Sequence, residues 1–333
     1  MEPDSPIPVL VLFGPTASGK TDLLLRLFGP GAGKLCNAEI VSADSMQVYR
    51  GMDIGTAKPS AEQRSLLPHH LVDIRNPNEQ FSVGDFVRLA NEAITNIASR
   101  GALPVVSGGT GFYLKNCVMG LPEAPPSDAA IREALRLELR EKGASALMEE
   151  LARSDPASAE KIHPNDEYRL LRALEVLRLS GRPLSSFGVS GAEPANSGPP
   201  RPLCRFLVVG LFRPREELYR RINQRCAAMF ALGLPGEVSN LHEAGYSPRD
   251  PGLRAIGYRE FFVEDEPGSY RLSQDIAGVQ ALVAQNSRRY AKRQITFFAS
   301  LPDARKIMAG RDEAETAGQL RKELEGFIKS GNR

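Results

Sequence analysis

The sequence predicts an α/β fold built on a mostly parallel sheet, and three observations carry this expectation. The apolar run "VLVLF", residues 9–13, passes through a glycine-containing loop directly into a helical run over residues 20–28. "AEIVSADS" reads as a second strand ending near Ser42, with polar residues at its carboxyl end. "ALPVVSGGTGFY" reads as a third, preceded by a helix over about residues 83–100. Strands that alternate with helices, each strand closing on a polar loop, favour parallel pairing. In such sheets ligands collect beyond the carboxyl ends of the strands. Residues 14–21, 43–49 and 108–110 are therefore expected around one crevice.

The later elements follow from changes in composition. "GLPEAPPSD" is a proline-rich break, after which residues 131–180 read as a helical block with arginine and glutamate repeated on its polar faces. "SFGVSGAEPANSGPPRP" reads as a loop, and "LCRFLVVGLF" resumes an apolar strand that returns to the first sheet. The block is thus expected as an insertion, residues 121–200, into a core made of 1–120 and 201–315. Helices continue through "EELYRRINQRCAAMF", "GEVSNLHEAG" and "IAGVQALVAQNSRRYAKRQITFF". The chain after Pro302 is expected as a terminal helix with a frayed end, residues 316–333 forming a charged tail.

Bulk properties bound the function. The 333 residues suffice for a full core and a sizeable insertion. A formal net charge of +2 excludes a uniformly cationic nucleic-acid binder, so any such role must rest on local clusters. Cys36, Cys117, Cys204 and Cys226 form no CxxC pair, which points to thiols in a cytoplasmic protein rather than zinc or disulfides. The opening segment is acidic and proline-containing, unlike a signal peptide, and no apolar run reaches membrane-spanning length. A cytoplasmic monomer with no membrane association is expected.

"GPTASGKT" comprises Gly14, Pro15, Thr16, Ala17, Ser18, Gly19, Lys20 and Thr21, the phosphate-loop pattern between strand and helix. Its backbone N–H groups and the following helix N-terminus favour a polyphosphate. Lys20 can reach the terminal phosphate, and the Thr21 hydroxyl is placed for magnesium. The motif identifies an anion but no reaction.

Asp44 lies just past the second strand. It can accept a proton from a nucleophile, hold magnesium through water, or simply cap a turn. The Gln47 amide suits bidentate hydrogen bonding with adenine. Asp53 and Lys58 can order their loop, meet phosphate, or face solvent. Thr110, in "SGGTGFY", can donate to a pyrophosphate or substrate oxygen, although a tight turn after a core strand explains the glycines equally. Arg221 and Arg225 are four apart on one helix face and can clamp phosphate. Arg288, Arg289, Lys292 and Arg293 surround Tyr290, a combination suited to an RNA backbone and a stacked base, or to a solvated basic helix. In "PNDEYRLLRALEVLRLSG", Arg169 and Arg172 are three apart behind a capping Asn165 or Asp166, and RNA contact and simple solubilisation fit equally. Among His69, His70, His163 and His242 there is no metal-ligand spacing, and no nucleophile elbow or triad exists.

Taken together, "GPTASGKT", "EIVSADSMQVYRGMDIGTAKP", "HHLVDI", "FSVGDF", "PVVSGGTGFY", "PNDEYRLLRALEV", "AIGYREF" and "RRYAKRQITFF" resemble the tRNA dimethylallyltransferases, or isopentenyl-tRNA transferases, in order and over nearly the whole chain. The resemblance implies a P-loop NTPase-like core with a helical insertion and additional C-terminal helices. It implies Mg2+ and transfer of a five-carbon prenyl group from dimethylallyl diphosphate to N6 of adenosine 37, in tRNAs reading codons beginning with U. The tRNA anticodon stem-loop would be the macromolecular partner. Residues 14–21 and Arg225 would hold the diphosphate, with Thr21 at the metal. Asp44 would act on N6 as general base, beside Ser45, Met46 and Gln47, while Thr110 and Arg221 complete the catalytic channel. Arg132, Arg169, Arg172, Arg288, Arg289 and Lys292 would meet tRNA. Against the family pattern, Phe112 stands for leucine, Ser287 for threonine and Phe297 for tryptophan, and "LFGPGAGKLCNAE" lengthens the link after the phosphate-loop helix. None of these removes an acid, a base or a phosphate donor. Without the ordered match, a P-loop kinase acting on a small metabolite, or a noncatalytic RNA-binding module, would remain the competing readings.

Overall fold

The computed structural model describes residues 6–31, 34–121, 124–187, 203–299, 301, 303–310 and 312–330. Two compact units emerge, one from 1–118 with 201–333 and the other from 119–200.

The first unit is the expected α/β core. Its strands are β1 (Ile7–Phe13), β2 (Ala38–Ala43), β3 (His69–His70), β4 (Leu103–Gly108), β5 (Cys204–Phe212) and β8 (Arg305–Met308). They form one parallel sheet in the order β3-β2-β4-β1-β5-β8. "LCRFLVVGLF" does rejoin the sheet, as β5 beside β1. A separate antiparallel hairpin, β6 (Phe262–Glu266) with β7 (Ser269–Leu272), follows later in the chain.

Central strands of a parallel sheet are covered on both faces, so β1 is a continuous apolar run rather than an alternating one. Leu10 and Leu12 join Leu23, Leu24, Leu27 and Phe28 of α1 (Lys20–Phe28) in one core. Phe13 stands on the other side, its ring 4.5 Å from that of Phe298 in α10 (Ile276–Phe298). The helix α3 (Val83–Ser99) packs on β2 and β4 and opens with a reciprocal capping box, in which Ser82 accepts from Asp85 N–H and Asp85 accepts from Ser82 N–H. The short α2 (Ala61–Leu66) and α4 (Gly111–Met119) follow β2 and β4, while α8 (Arg215–Ala231) and α9 (Leu234–Glu243) follow β5.

In the second unit α5 (Ala129–Ser154), α6 (Pro156–Ala159) and α7 (Glu167–Ser180) share a core of Leu135, Leu147, Leu151, Ile162, Leu170 and Leu174. The long α5 is interrupted at Gly143, whose φ of 78° breaks the helical path. Most of the stretch read as the "SFGVSGAEPANSGPPRP" loop lies outside the described residues.

One expectation needs correcting. The chain after Pro302 contributes β8, a sheet strand not foreseen, and then α11 (Glu313–Ser330). Residues 316–330 are no mere charged tail, because Thr316, Ala317, Leu320 and Leu324 are buried against α1. The segment carries an apolar stripe at helical spacing, Ala317, Leu320, Leu324 and Phe327, between its charged residues. Leu320→Ala should therefore destabilise the protein by about 2–5 kcal/mol in urea unfolding. A solvated tail would give no change.

Candidate functional site

Phe13 of β1 is level with Gly108 of β4 and with Gly210 of β5, and Ala43 of β2 is level with the same Gly108. The loops leaving β1, β2 and β4 thus start at one height and converge. Thr110 N–H donates to Ala43 O at 3.1 Å, which ties the third loop to the second.

The phosphate loop is bent by two left-handed residues. Gly19 has φ 95°, and Ala17 has φ 64°, a conformation costing a residue with a Cβ on the order of 1 kcal/mol. Arg221 Nε donates to Ala17 O at 3.0 Å and Arg213 Nε to Ser18 O at 2.8 Å, so two guanidinium groups secure the turn. Lys20 Nζ donates to Gly14 O and Pro15 O, at 2.9 and 3.2 Å, and so crosses the mouth of its own loop. The buried Ser18 hydroxyl has no hydrogen-bond partner among the described residues. Burial, and then the Arg225 charge, lower Lys20 to about 8, against an opposing pull from Asp44. Burial likewise lowers Arg225, again opposed by Asp44. Both shifts mark cations buried away from water, and only Lys20 is lowered further by a like charge.

Asp44 is fixed by a local turn in which its Oδ1 accepts from Met46 N–H at 2.9 Å and Gln47 N–H at 3.4 Å. Ser45 N–H donates to Thr110 Oγ1 at 3.0 Å, and the two hydroxyls are 3.3 Å apart. A cavity of about 360 Å³ is lined by Thr16, Lys20, Thr21, Asp44 and Arg225 at polar positions and by Leu24, Ile40, Leu67, Ile222 and Met229 at apolar ones. Ser45, Met46 and Gln47 also line it. A second, more open cavity of about 870 Å³ reaches Lys20, Thr21, Arg221 and Arg225.

Gln47 has a different task from the one its amide suggests. Its Oε1 accepts from Ser42 Oγ at 3.2 Å, and its Nε2 donates to Ala57 O at 3.2 Å and Thr56 O at 3.4 Å. The amide is spent holding residues 56–57, which sequence alone cannot reveal. Lys58 is no phosphate ligand here, since its ammonium is buried against Asp53, Asp73 and the Tyr49 carbonyl. The same loop is gripped by Glu237, whose carboxylate accepts from Asp53, Ile54 and Gly55 N–H and from the Tyr258 hydroxyl. Arg213, Glu237 and Gln294 were not singled out by sequence reasoning, although Gln294 lies within the "RRYAKRQITFF" segment.

On α10, Arg289, Lys292 and Arg293 are exposed on one face with Thr296, and none has an ion-pair partner among the described residues. Arg288 instead donates to Asn223 Oδ1 at 2.5 Å. Tyr290 is half-buried with the Arg293 guanidinium over its ring at 5.6 Å, and is not an open stacking platform. Burial, with the Asp44 charge, pushes its phenol up to about 12.

In the helical unit, two of the expected RNA contacts are committed elsewhere. Arg172 and Arg132 approach the fully buried Glu175 carboxylate at 2.8 and 3.4 Å, and that carboxylate also accepts from Ser127 Oγ and Asp128 N–H. Arg172 further donates to Pro125 O. Arg169, by contrast, is 68% exposed beside Asp166. Arg172→Ala should cost about 2 kcal/mol of stability by leaving Glu175 short of a partner, whereas Arg169→Ala should cost under about 0.5 kcal/mol, as read from thermal unfolding.

With this geometry in view, the comparisons with known proteins agree. A family model described as IPP transferase matches residues 47–301. The tRNA dimethylallyltransferase of Geobacter sulfurreducens is 45% identical over 297 residues, 88% of this chain and 89% of that protein. The tRNA dimethylallyltransferase 1 of Trichlorobacter lovleyi is 44% identical over 294 residues, 88% and 91% of the two chains. Among solved structures, the full-length tRNA isopentenylpyrophosphate transferase of Bacillus halodurans is similar at a TM-score of 0.66 and 34% identity, over 98% of this chain and 99% of that one. A eukaryotic dimethylallyltransferase acting on tRNA is similar at a TM-score of 0.77 and 25% identity, over 98% and 80%.

Proposed function

This chain belongs to the tRNA dimethylallyltransferase (IPP transferase) family, and we propose that it moves the dimethylallyl group of dimethylallyl diphosphate to N6 of adenosine 37 in tRNAs reading codons beginning with U. The products are N6-(dimethylallyl)adenosine and diphosphate. The observation that carries this reading is the cavity itself, which joins the phosphate loop and Asp44 to an apolar wall of Leu24, Ile40, Leu67, Ile222 and Met229. An apolar wall beside an anion cradle suits the prenyl tail of dimethylallyl diphosphate.

The chemistry divides between the two ends. Adenine N6 is a weak nucleophile because its lone pair is delocalised into the ring. Asp44, held by its turn, aligns N6 and takes its proton as the carbon–nitrogen bond forms at the allylic C1. The C1–O bond breaks, and its electrons leave with the diphosphate. Lys20, Arg221, Arg225 and the loop amides meet that growing negative charge. Thr110 donates within the channel, and Ser45 and Met46 sit beside the extruded base. Extrusion from a single-stranded loop costs less than from a duplex.

Mg2+ fits these residues through the Thr21 hydroxyl at the loop's end, supplying further charge neutralisation to the diphosphate. No group of three or more His, Cys, Asp or Glu side chains forms a metal cage among the described residues, which accords with an ion bound by one hydroxyl, diphosphate oxygens and water. The exposed Arg289, Lys292 and Arg293, with Arg169 in the helical unit, are the cations best suited to the anticodon stem-loop backbone. No helix among the described residues is long and apolar enough to cross a membrane.

Mass spectrometry of tRNA incubated with the protein, dimethylallyl diphosphate and Mg2+ tests the proposal. A five-carbon addition confined to adenosine 37 is expected, falling at least ~100-fold in rate for Asp44→Ala. Addition at another nucleotide, full transfer by Asp44→Ala, or an ATP-dependent phosphorylated product would overturn it.

Lys20 adds a pH signature. It is lowered to about 8 in the free site, and a bound diphosphate raises it, so binding takes up a proton near and above that value. Affinity for inorganic diphosphate should fall as pH rises above about 8, by up to about tenfold per unit. Calorimetry in buffers of different ionisation enthalpy should show the uptake, and Lys20→Met should abolish it.

A further inference from the structure

Gln294 lies on α10 and is almost fully buried. Its carboxamide oxygen accepts from Thr16 N–H at 2.9 Å, and its nitrogen donates to Gly109 O at 2.7 Å. One planar group therefore joins the loop after β1 to the loop after β4, although it is 278 and 185 residues away from them in the chain.

We propose that Gln294 is a positioning residue for prenyl transfer. It fixes the gap between the phosphate loop, which holds the leaving group, and the Thr110 turn, which flanks the acceptor nitrogen. This rests on the site assignment made above. Three observations converge on it. First, the Thr16 N–H is withdrawn from the anion cradle by the carboxamide, so this contact serves spacing and not phosphate binding. Second, a Cβ at position 109 would collide with Gln294 Nε2, so that glycine is what lets the amide reach the backbone. Third, Thr110, which follows Gly109 directly in the chain, receives the Ser45 N–H beside Asp44. The links run from Thr16, through the amide to Gly109, along the backbone to Thr110 and from there to Ser45, the residue next to the base.

Only a group with a donor and an acceptor can make both contacts. An ionised glutamate at 294 would keep the Thr16 bond and repel the Gly109 carbonyl, whereas its protonated form would restore both.

Steady-state kinetics of the full chain with tRNA, dimethylallyl diphosphate and Mg2+ test the inference. Gln294→Ala should lower kcat about 10- to 100-fold, with each KM within about threefold of the parent. Gln294→Glu should be equally slow at about pH 8 and should gain on the parent enzyme as pH falls towards about 5.5, the recovery falling on kcat with each KM and the thermal unfolding midpoint unchanged, which a merely structural role would not produce. Gly109→Ala should reproduce the kcat loss, and combining it with Gln294→Ala should add little, because both remove the same link. A kcat for Gln294→Ala within about threefold of the parent, or a flat pH ratio for Gln294→Glu, would overturn the inference. Should Gln294→Ala not fold, the Gln294→Glu profile decides. Asp44→Ala in the same assay separates the two readings. Its retention of transfer would sink the site assignment, whereas its loss beside a normal Gln294→Ala would sink the positioning role alone.

Discussion

The parallel pairing of β1 with β4 and β5, extended by β4 to β2, sets the height at which the loops of the site begin. Leu10–Phe13 face Val105–Gly108 on one side, and Ile7–Phe13 face Cys204–Gly210 on the other. A slip by a single residue would exchange the two faces of β1 and move its loop by about 3.3 Å. Leu10 and Leu12 would then leave the α1 side, and Phe13 would leave Phe298. The burial of both faces thus enforces the register, and the register in turn delivers Gly14, Asp44 and Thr110 to one place.

Charge is the second constraint, and it is distributed with discrimination. Lys58 is neutralised by Asp53 and Asp73, and Arg213 by Glu217. Arg221 and Arg225, next to the phosphate loop, have no ion-pair partner among the described residues. Of the three guanidinium groups around the loop, Arg213 is thus compensated by Glu217, while Arg221 and Arg225 are not. Such an arrangement is costly in the free protein and is relieved by an arriving anion. In the helical unit Arg132 and Arg172 share the buried Glu175, whereas Arg169 is exposed and pairs with Asp166 at the surface.

Much of this was legible in the residues. Phosphate loops and parallel strands are local patterns, so β1, α1, β2, α3 and β4 could be read almost to the residue. The Asp44 turn and the Arg221 and Arg225 pairing follow from short spacings too. What escaped was whatever depends on distant partners. Gln47 looked like a free amide because its contacts, Thr56 O and Ala57 O, are backbone atoms with no sequence signature. Glu237 holds three successive N–H groups of residues 53–55, and Gln294 reaches Thr16 and Gly109, again through backbone. A side chain that recognises a backbone leaves no complementary residue to find. The short β8 was missed for a related reason, since a four-residue edge strand has too little length for a pattern to show.

The docking of α11 on α1 has a consequence for how the protein is made. Arg26 and Glu313, which pair across that contact, are 287 residues apart. The apolar side of α1, with Leu23, Leu27 and Phe28, is synthesised long before its cover of Ala317, Leu320 and Leu324. During translation the nascent phosphate-loop helix therefore waits with an open apolar flank, in the condition that recruits chaperones and invites association with neighbouring chains. Closing that flank brings the two ends of the core together, so completion of the phosphate-binding half is a late event in the life of the chain.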